Sequence, residues 1–147
     1  MAYQHILVPV DGSATSLAAV EKAADFAKAF NSKITVVQVL ALDPYIAAEY
    51  ISASQTNDMI ERARGAILSD LNSAKEKFAE LGVEVDTKLV EGQVVHRELV
   101  KAAEELNVDL IIIGSHGRTG LKKLFLGSVA QNVLTEVNIP VLVVRHP

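Results

Sequence analysis

The sequence predicts an α/β fold in which five parallel strands form a doubly wound sheet with helices on both faces. Five short apolar runs of strand length alternate along the 147 residues with segments whose apolar residues recur at helical spacing. Such alternation is typical of a parallel sheet with right-handed crossovers. The length is that of one average domain, so we expect a single domain over residues 1–147.

The strands are predicted from apolar, β-branched runs bounded by turn signals. These runs are Ile6–Val10, Ile34–Leu40, Val83–Val90, Leu110–Ile113 and Val141–Val144. The third run alternates between apolar and polar residues, which indicates one wetter face and favours an edge position. The fourth run is apolar throughout, as expected of a central strand that helices cover on both faces.

The helices are predicted from apolar stripes between these runs. The second stripe is the longest, and Gly82 follows it as a helix stop. A coiled-coil seam shows the same spacing, but beside strands a helix lying on the sheet is favoured. The four stripes are Leu17, Val20, Ala24 and Ala27; Ile60, Ala63, Ile67, Leu71, Ala74, Phe78 and Leu81; Val95, Leu99, Ala102 and Leu106; and Val129, Val133, Leu134 and Val137.

One segment, Asp43–Asn57, fits neither pattern and is long for a connection between a strand and a helix. It is interpreted as a lid, as a segment that contacts a partner, or as a plain surface loop.

The composition excludes several classes of protein. Half of the residues are hydrophobic and 22% are charged, which is not the composition of a disordered chain. A net charge of −4 argues against a sequence-independent nucleic-acid binder. The absence of cysteine excludes disulfides, thiolate zinc sites and iron–sulfur clusters. No signal peptide and no apolar run of about 20 residues is present, so we expect a soluble cytoplasmic protein without membrane insertion.

A glycine-rich segment after the fourth strand is the most informative feature. Four of the eight glycines lie between Gly114 and Gly127. Backbone N–H groups in such loops bind anions, and a helix that begins at the end of the loop favours phosphate. Ser128–Gln131 predicts a capping box with Ser128 at the N-cap. The alternative is a long connection in which glycines only make turns.

The spacing of these glycines is G-x2-G-x9-G-[ST], formed by Gly114, Gly117, Gly127 and Ser128. It is neither a P-loop nor the dinucleotide-binding pattern. Together with the opening strand that runs into Pro9–Ser13 and the ending Pro140–Val144, the motif resembles the nucleotide-binding branch of the universal stress protein family over essentially the whole chain. The resemblance implies a Rossmann-like fold of the adenine nucleotide alpha hydrolase-like type and a site for ATP.

The resemblance also implies which residues contact the base and the sugar. Asp11 would bind the ribose, with Pro9 and Val10 lining the adenine pocket. Val39 would form an apolar wall beside adenine, and Ile113 would lie near the base or the ribose. A carboxylate suits the sugar, because it accepts hydrogen bonds from hydroxyls and is poorly placed beside a triphosphate. An N-cap or an Asx-turn is the alternative role of Asp11.

At the phosphate end, the resemblance implies that the four residues of the glycine motif hold the phosphates, with the amides of Val129 and Ala130 behind them. Family members commonly carry a hydroxyl residue where Ala130 stands, so one possible hydrogen bond is lost while the backbone donor remains. Positive charge from Arg118, Lys122 and Lys123 could add to the site, or these residues form a solvated loop face.

His116 is expected to fix the loop or to contact a phosphate. A Ser-His-Asp triad can be assembled from His116, Asp11 and Ser115 or Ser128, but the nucleophile elbow G-x-S-x-G is absent. The remaining histidines lack the spacing of metal ligands, so no protein metal site is expected. Mg²⁺ or Mn²⁺ could still accompany the nucleotide and keep most of its waters.

The function expected from the residues and the resemblance is a cytoplasmic ATP-binding regulatory protein of the stress response, with a membrane transporter as one conceivable target. A slow ATPase or adenylate-handling enzyme and a dimeric interaction protein that binds no nucleotide are the alternatives. The resemblance implies a homodimer formed through Val141–Val144, with a tetramer also conceivable.

Overall fold

Five parallel strands form one sheet in the computed structural model, which describes residues 2–41, 53–116 and 126–145. They are β1 (His5–Pro9), β2 (Lys33–Ala41), β3 (Asp86–Gly92), β4 (Leu110–Gly114) and β5 (Val141–Val144). Their order across the sheet is β3-β2-β1-β4-β5. Every neighbouring pair is parallel, which confirms the predicted doubly wound sheet.

Four helices of the described residues cover the two faces of this sheet: α1 (Ala14–Phe30), α2 (Ala53–Glu80), α3 (Val95–Glu105) and α4 (Ser128–Glu136). One apolar cluster packs α1 and α2 against β1 and β2 and is centred on Val8, Val36 and Phe78. A second cluster packs α3 and α4 against the opposite face and is centred on Leu7, Ile111 and Val133. No helix in these three ranges is both long and apolar enough to cross a membrane.

The third strand begins later than its apolar pattern predicts. Gly82 adopts a φ of +84°, and the N–H of Val83 turns back to donate to the Phe78 carbonyl at 2.9 Å. The chain is therefore still closing α2 at Val83, and pairing with β2 starts only at Asp86, opposite Thr35. Val83 is buried by the core rather than by a strand ladder. The predicted edge position of this strand is confirmed, because β3 pairs with β2 alone.

The long helix α2 begins within the segment that fitted neither pattern. Ala53 is its first residue, so the last five residues of Asp43–Asn57 are helical. Residues 42–52 lie outside the described residues, and with them the rest of that segment. The predicted stripe is confirmed further along α2, where Phe78 is fully buried.

The amino ends of β1 and β4 are tied together by the Asp109 carboxylate, at the end of the sheet opposite the glycine-rich loop. It accepts hydrogen bonds from the N–H groups of Gln4 and His5 at 2.9 and 3.0 Å. Burial alone would raise the pKa of Asp109, but these backbone donors outweigh it and lower the pKa.

The His5 ring lies at the same end and bridges β1, β2 and the residue that ends α3. Its Nδ1 lies 3.1 Å from the Leu106 carbonyl oxygen, and its Nε2 lies 2.8 Å from the Thr35 hydroxyl. A carbonyl only accepts, so Nδ1 carries the proton and Nε2 accepts from Thr35. Burial, aided by the charge of Lys33, lowers the pKa of His5 from its ordinary value of 6.5.

Candidate functional site

A cleft of about 300 Å³ opens at the carboxyl ends of the strands, where the chain reverses its direction across the sheet. The connection after β1 leads to α1 on one face, and the connection after β4 leads towards α4 on the other face. Neighbouring loops that diverge in this way leave a crevice, which is where open α/β sheets bind ligands. The volume is at the lower end of the range for small-molecule sites, about 300–1,000 Å³.

Every predicted site residue that the structure describes lines this cleft. The set is Pro9, Val10, Asp11, Val39, Ile113, Gly114, His116, Gly127, Ser128, Val129 and Ala130. Gly117 and Arg118, like Lys122 and Lys123, lie outside the described residues. The loops after β1, β2 and β4 thus converge with the start of α4 on one cavity.

Four further residues line the cleft that the sequence analysis did not select: Ser16, Gln38, Val95 and Leu99. The last two looked like ordinary members of the α3 stripe, and only the crossover from β3 to β4 brings that helix over the cleft. Gln38 did carry a signal, because it is the one amide side chain in the apolar run Ile34–Leu40.

Asp11 is held at the start of α1 by its own turn. The N–H of Ser13 donates to Asp11 Oδ1 at 2.9 Å, which is an Asx-turn. Ser13 rather than Asp11 is the N-cap of α1, and its hydroxyl accepts from the N–H of Ser16 at 3.2 Å. The preceding residue is anchored to β2, since the N–H of Val10 donates to the Val37 carbonyl at 2.9 Å. The Asp11 carboxylate is therefore positioned by backbone on both sides.

Gly114 and Gly127 are required by packing within the protein. A Cβ on Gly114 would lie 2.7 Å from Thr15 Cγ2 and 3.0 Å from the Thr15 carbonyl oxygen. A Cβ on Gly127 would lie 2.9 Å from His116 Cα and 3.1 Å from the Ser115 carbonyl oxygen. The two glycines allow α1, the end of β4 and the start of α4 to approach one another closely. Turn formation alone therefore does not explain them.

The start of α4 differs from the capping box that the sequence predicted, and that prediction is wrong. Gly127 is the N-cap, Ser128 is the first helical residue, and no side chain caps the helix. The N–H of Gly127 donates to the Ser115 carbonyl at 2.6 Å, which fixes the helix start one residue early. The Gln131 amide reaches back to the Leu126 carbonyl at 2.6 Å instead of to Ser128.

This geometry leaves three N–H groups at the cleft without a helical acceptor. The first helical bond of α4 runs from the N–H of Gln131 to the Gly127 carbonyl at 2.9 Å. The N–H groups of Ser128, Val129 and Ala130 precede it, and all three residues line the cleft. A helix N-terminus carries about half a positive charge, so this end of the cleft suits an anion.

His116 contacts α1 at the floor of the cleft. Its Nδ1 lies 3.4 Å from Thr15 Oγ1, and its backbone packs against Gly127. These contacts join the end of β4 to α1, and they agree with a role in fixing the loop. No described residues form a cluster of three or more histidine or carboxylate side chains that could hold a metal ion.

The model of the universal stress protein family matches residues 2–145. The chain belongs to this family. Universal stress protein MJ0531 of Methanocaldococcus jannaschii is 34% identical over 145 residues, which cover 99% of this chain and 84% of the relative. Universal stress protein YxiE of Bacillus subtilis is 32% identical, with 97% of this chain and 99% of the relative covered.

Solved structures of universal stress proteins have the same fold. That of protein MJ0577 of Methanocaldococcus jannaschii superposes with a TM-score of 0.85 at 31% identity and covers 100% of this chain and 99% of its own. A universal stress protein solved in complex with cAMP superposes with a TM-score of 0.74 at 26% identity and covers 100% of both chains. The fold of this chain is thus a known architecture.

Proposed function

We propose that this universal stress protein binds ATP in the cleft and that the occupied state regulates a partner protein. The observation that carries the proposal is the combination of apolar walls, one carboxylate and a free helix N-terminus in a single cavity. These are the three surfaces that a base, a ribose and a phosphate chain require.

The base is assigned to the β2 side of the cleft. Val39, Val95 and Leu99 line it there together with Pro9 and Val10. Aliphatic side chains suit the flat face of a purine through apolar contact, and the low aromatic content of the chain, 5%, leaves few rings for stacking.

The ribose and the phosphates are assigned to the middle and to the α4 side. The Asp11 carboxylate accepts from ribose hydroxyls while its Asx-turn remains intact, because each oxygen has two lone pairs. The N–H groups of Ser128, Val129 and Ala130 receive the phosphates. This anion site consists of backbone, so it is compatible with a net charge of −4.

The cAMP complex of the relative supports an adenine nucleotide as the ligand class. ATP is preferred here because the three N–H groups at the start of α4 offer donors to more than one phosphate. A divalent ion such as Mg²⁺ or Mn²⁺ would arrive with the nucleotide and keep most of its own waters.

Binding is proposed in preference to turnover. Asp11 is the sole carboxylate among the described residues that line the cleft, and it is assigned to the sugar. The sequence from Gly117 to Leu126 adds no aspartate or glutamate. Hydrolysis needs a group that orients the attacking water, and the described residues that line the cleft offer no second carboxylate for that role. If the purified wild-type protein released phosphate from ATP at more than a trace rate, and Asp11→Ala did not, the alternative function as a slow ATPase would be favoured.

The decisive experiment places a negative charge at the start of α4. Ser128→Asp suits a helix N-terminus and should leave the free energy of unfolding equal or up to about 1 kcal/mol higher. The same charge repels a triphosphate, so affinity for ATP should fall at least about tenfold while affinity for adenosine stays unchanged. Ser73→Asp, an exposed position on α2, is the matched control and should change neither affinity.

Calorimetric titration with ATP and with adenosine measures both affinities. If Ser128→Asp lost affinity equally for ATP and adenosine, or lost no affinity for ATP, the assignment of the phosphates to α4 would be contradicted. If the wild-type protein bound neither ligand, nucleotide binding would be refuted, and the alternative of an interaction protein that binds no nucleotide would be favoured.

The cellular location, the oligomeric state and the partner of the protein are also proposals. We place it in the cytoplasm as one domain that forms a homodimer, or a tetramer, through β5. This strand forms one edge of the sheet, where it pairs with β4 alone among the described residues, and all four of its residues are only partly buried. An uncovered edge of this kind offers main-chain groups to a second chain. The regulated partner, with a membrane transporter as one candidate, is sought by ATP-dependent co-purification.

A further inference from the structure

His116 carries its imidazole ring at the point where α1 and the start of α4 approach each other. Its Nδ1 lies 3.4 Å from the Thr15 hydroxyl oxygen on α1, and its Cβ lies 3.4 Å from the position that a Cβ on Gly127 would take. Gly127 is the N-cap of α4, the helix whose first N–H groups are assigned to the phosphates. Because His116 also lines the cleft, its ring belongs to the phosphate end of the site.

The Thr15 hydroxyl decides which nitrogen of this ring carries the proton. Only 3% of Thr15 is exposed, and His116 Nδ1 is the one hydrogen-bond partner of its side chain among the described residues. If Nδ1 donated to Thr15, the hydroxyl proton would be left without an acceptor among those residues, which is costly for a buried group. The hydroxyl therefore donates to Nδ1, and in the neutral ring the proton is on Nε2.

The Nε2–H group of His116 is then a hydrogen-bond donor without an acceptor among the described residues. Nδ1 is turned towards α1 and His116 is only partly buried, so Nε2 is the polar atom of the ring that is left for a ligand in the cleft. A charged phosphate oxygen suits such a donor, because hydrogen bonds to ionised acceptors are stronger than neutral ones.

We propose that Thr15 holds His116 in the tautomer and orientation in which Nε2 donates to a phosphate of the bound nucleotide. The inference rests on the proposed nucleotide function and adds a side-chain donor to its backbone anion site. His116 contacts the ligand, whereas Thr15 is a positioning residue that acts through it. The contact requires a phosphate, so it contributes to the affinity for ATP and not to that for adenosine.

Two substitutions of His116 distinguish a donor from a side chain that only fixes the loop. His116→Gln places an amide N–H near the position of Nε2, whereas His116→Met keeps an unbranched side chain of similar length and has no donor. Affinity for ATP should fall about ten- to a hundredfold in His116→Met and clearly less in His116→Gln. Affinity for adenosine should not change in either variant. Calorimetric titration with both ligands measures these values.

Two substitutions of Thr15 test the positioning role. Valine has the shape of threonine without the hydroxyl, so in Thr15→Val the ring loses the bond that orients it, and affinity for ATP should fall about two- to tenfold. Thr15→Ser keeps the hydroxyl and should bind ATP like the wild type. Thr87→Val, at an exposed position of β3 outside the cleft, is the matched control and should change neither affinity.

Nitrogen-15 NMR of the ring reports the tautomer directly and needs no nucleotide. In the neutral ring of the wild type, Nε2 should give the signal of a protonated nitrogen and Nδ1 that of an acceptor. The spectrum of His116→Gln identifies which of the signals of the four histidines belongs to this ring. A proton found on Nδ1 of the wild type would overturn the proposal.

The remaining outcomes separate this proposal from nucleotide binding itself. Wild-type affinity for ATP in His116→Met or in Thr15→Val, or an equal loss for ATP and adenosine, would overturn the proposed contact and leave nucleotide binding standing. A wild type that binds neither ligand would overturn both. If His116→Met failed to fold, His116→Asn would replace it, because its shorter amide does not reach the position of Nε2; ATP binding as tight as in His116→Gln would then overturn the proposal.

Discussion

Replacement of Gly114 by alanine should destabilise the protein, although the residue ends a strand. The new Cβ would lie 2.7 Å from Thr15 Cγ2 and 3.0 and 3.1 Å from the Thr15 carbonyl oxygen and carbon. Ordinary contacts between such atoms are about 3.5–4.0 Å, so the start of α1 must shift by about half an ångström or more.

The expected loss follows from two opposing effects. Overpacking of this kind costs about 1–3 kcal/mol, and the lower conformational entropy of unfolded alanine offsets about 0.4–1 kcal/mol of it. The net loss should be about 1–2 kcal/mol, which lowers the Tm by roughly 2–8 °C for a domain of this size. Urea unfolding followed by far-ultraviolet circular dichroism measures it, and the absence of tryptophan makes that signal preferable to fluorescence.

Gly65→Ala is the matched control. Gly65 lies in α2 with nothing within 4 Å of an added Cβ, so alanine there should stabilise the helix by about 0.5–1 kcal/mol. Thr15→Ser combined with Gly114→Ala should recover part of the loss, because it removes Cγ2 but not the backbone contacts. A Gly114→Ala protein as stable as the wild type, beside a stabilised Gly65→Ala protein, would refute the packing role of Gly114.

Four further predictions test other parts of the structure. Asp11→Asn keeps an acceptor for the Ser13 N–H and should weaken ATP binding with little change in Tm, whereas Asp11→Ala should lower both; equal Tm values would contradict the Asx-turn. Phe78→Ala empties the centre of the α2 interface and should cost about 3–5 kcal/mol in urea unfolding. The free energy of unfolding should fall as the pH drops below 6.5, because burial lowers the pKa of folded His5 and only the unfolded chain takes up the proton there. His5→Gln should remove this pH dependence of stability, and an unchanged pH dependence in that variant would refute the role of His5. Val143→Lys should halve the mass measured by sedimentation if β5 forms the dimer, and an unchanged mass would exclude that interface.

Much of the fold follows from the sequence because each element needed only local information. The apolar runs place all five strands, and the long stripe of α2 places its buried face from Ile67 to Phe78. The predicted start of β3 was wrong because a hydrophobic pattern indicates burial and not strand pairing. Val83 is buried, but its N–H still bonds to the end of the preceding helix α2. Hydrogen-bond direction is not encoded in apolar periodicity.

At the cleft, the turn residues after β1 and the glycines after β4 allowed both loops to be predicted as parts of the site. The N-cap of α4 was misassigned because the choice between Gly127 and Ser128 depends on the hydrogen bond from Gly127 to Ser115, which lies twelve residues earlier, directly after β4. Val95 and Leu99 were missed because their spacing is that of any core helix, and only the crossover topology brings them to the site.

The close approach at Gly114 and Gly127 has a consequence for how a ligand binds. These contacts hold the start of α1, the end of β4 and the start of α4 at van der Waals distance through the protein's own packing. The Asp11 carboxylate and the N–H groups at the start of α4 are thus already in place before a ligand binds. Binding therefore does not include the entropic cost of ordering them. A residue larger than glycine at either position would therefore change the affinity for a ligand by altering the empty cleft, without touching the ligand itself.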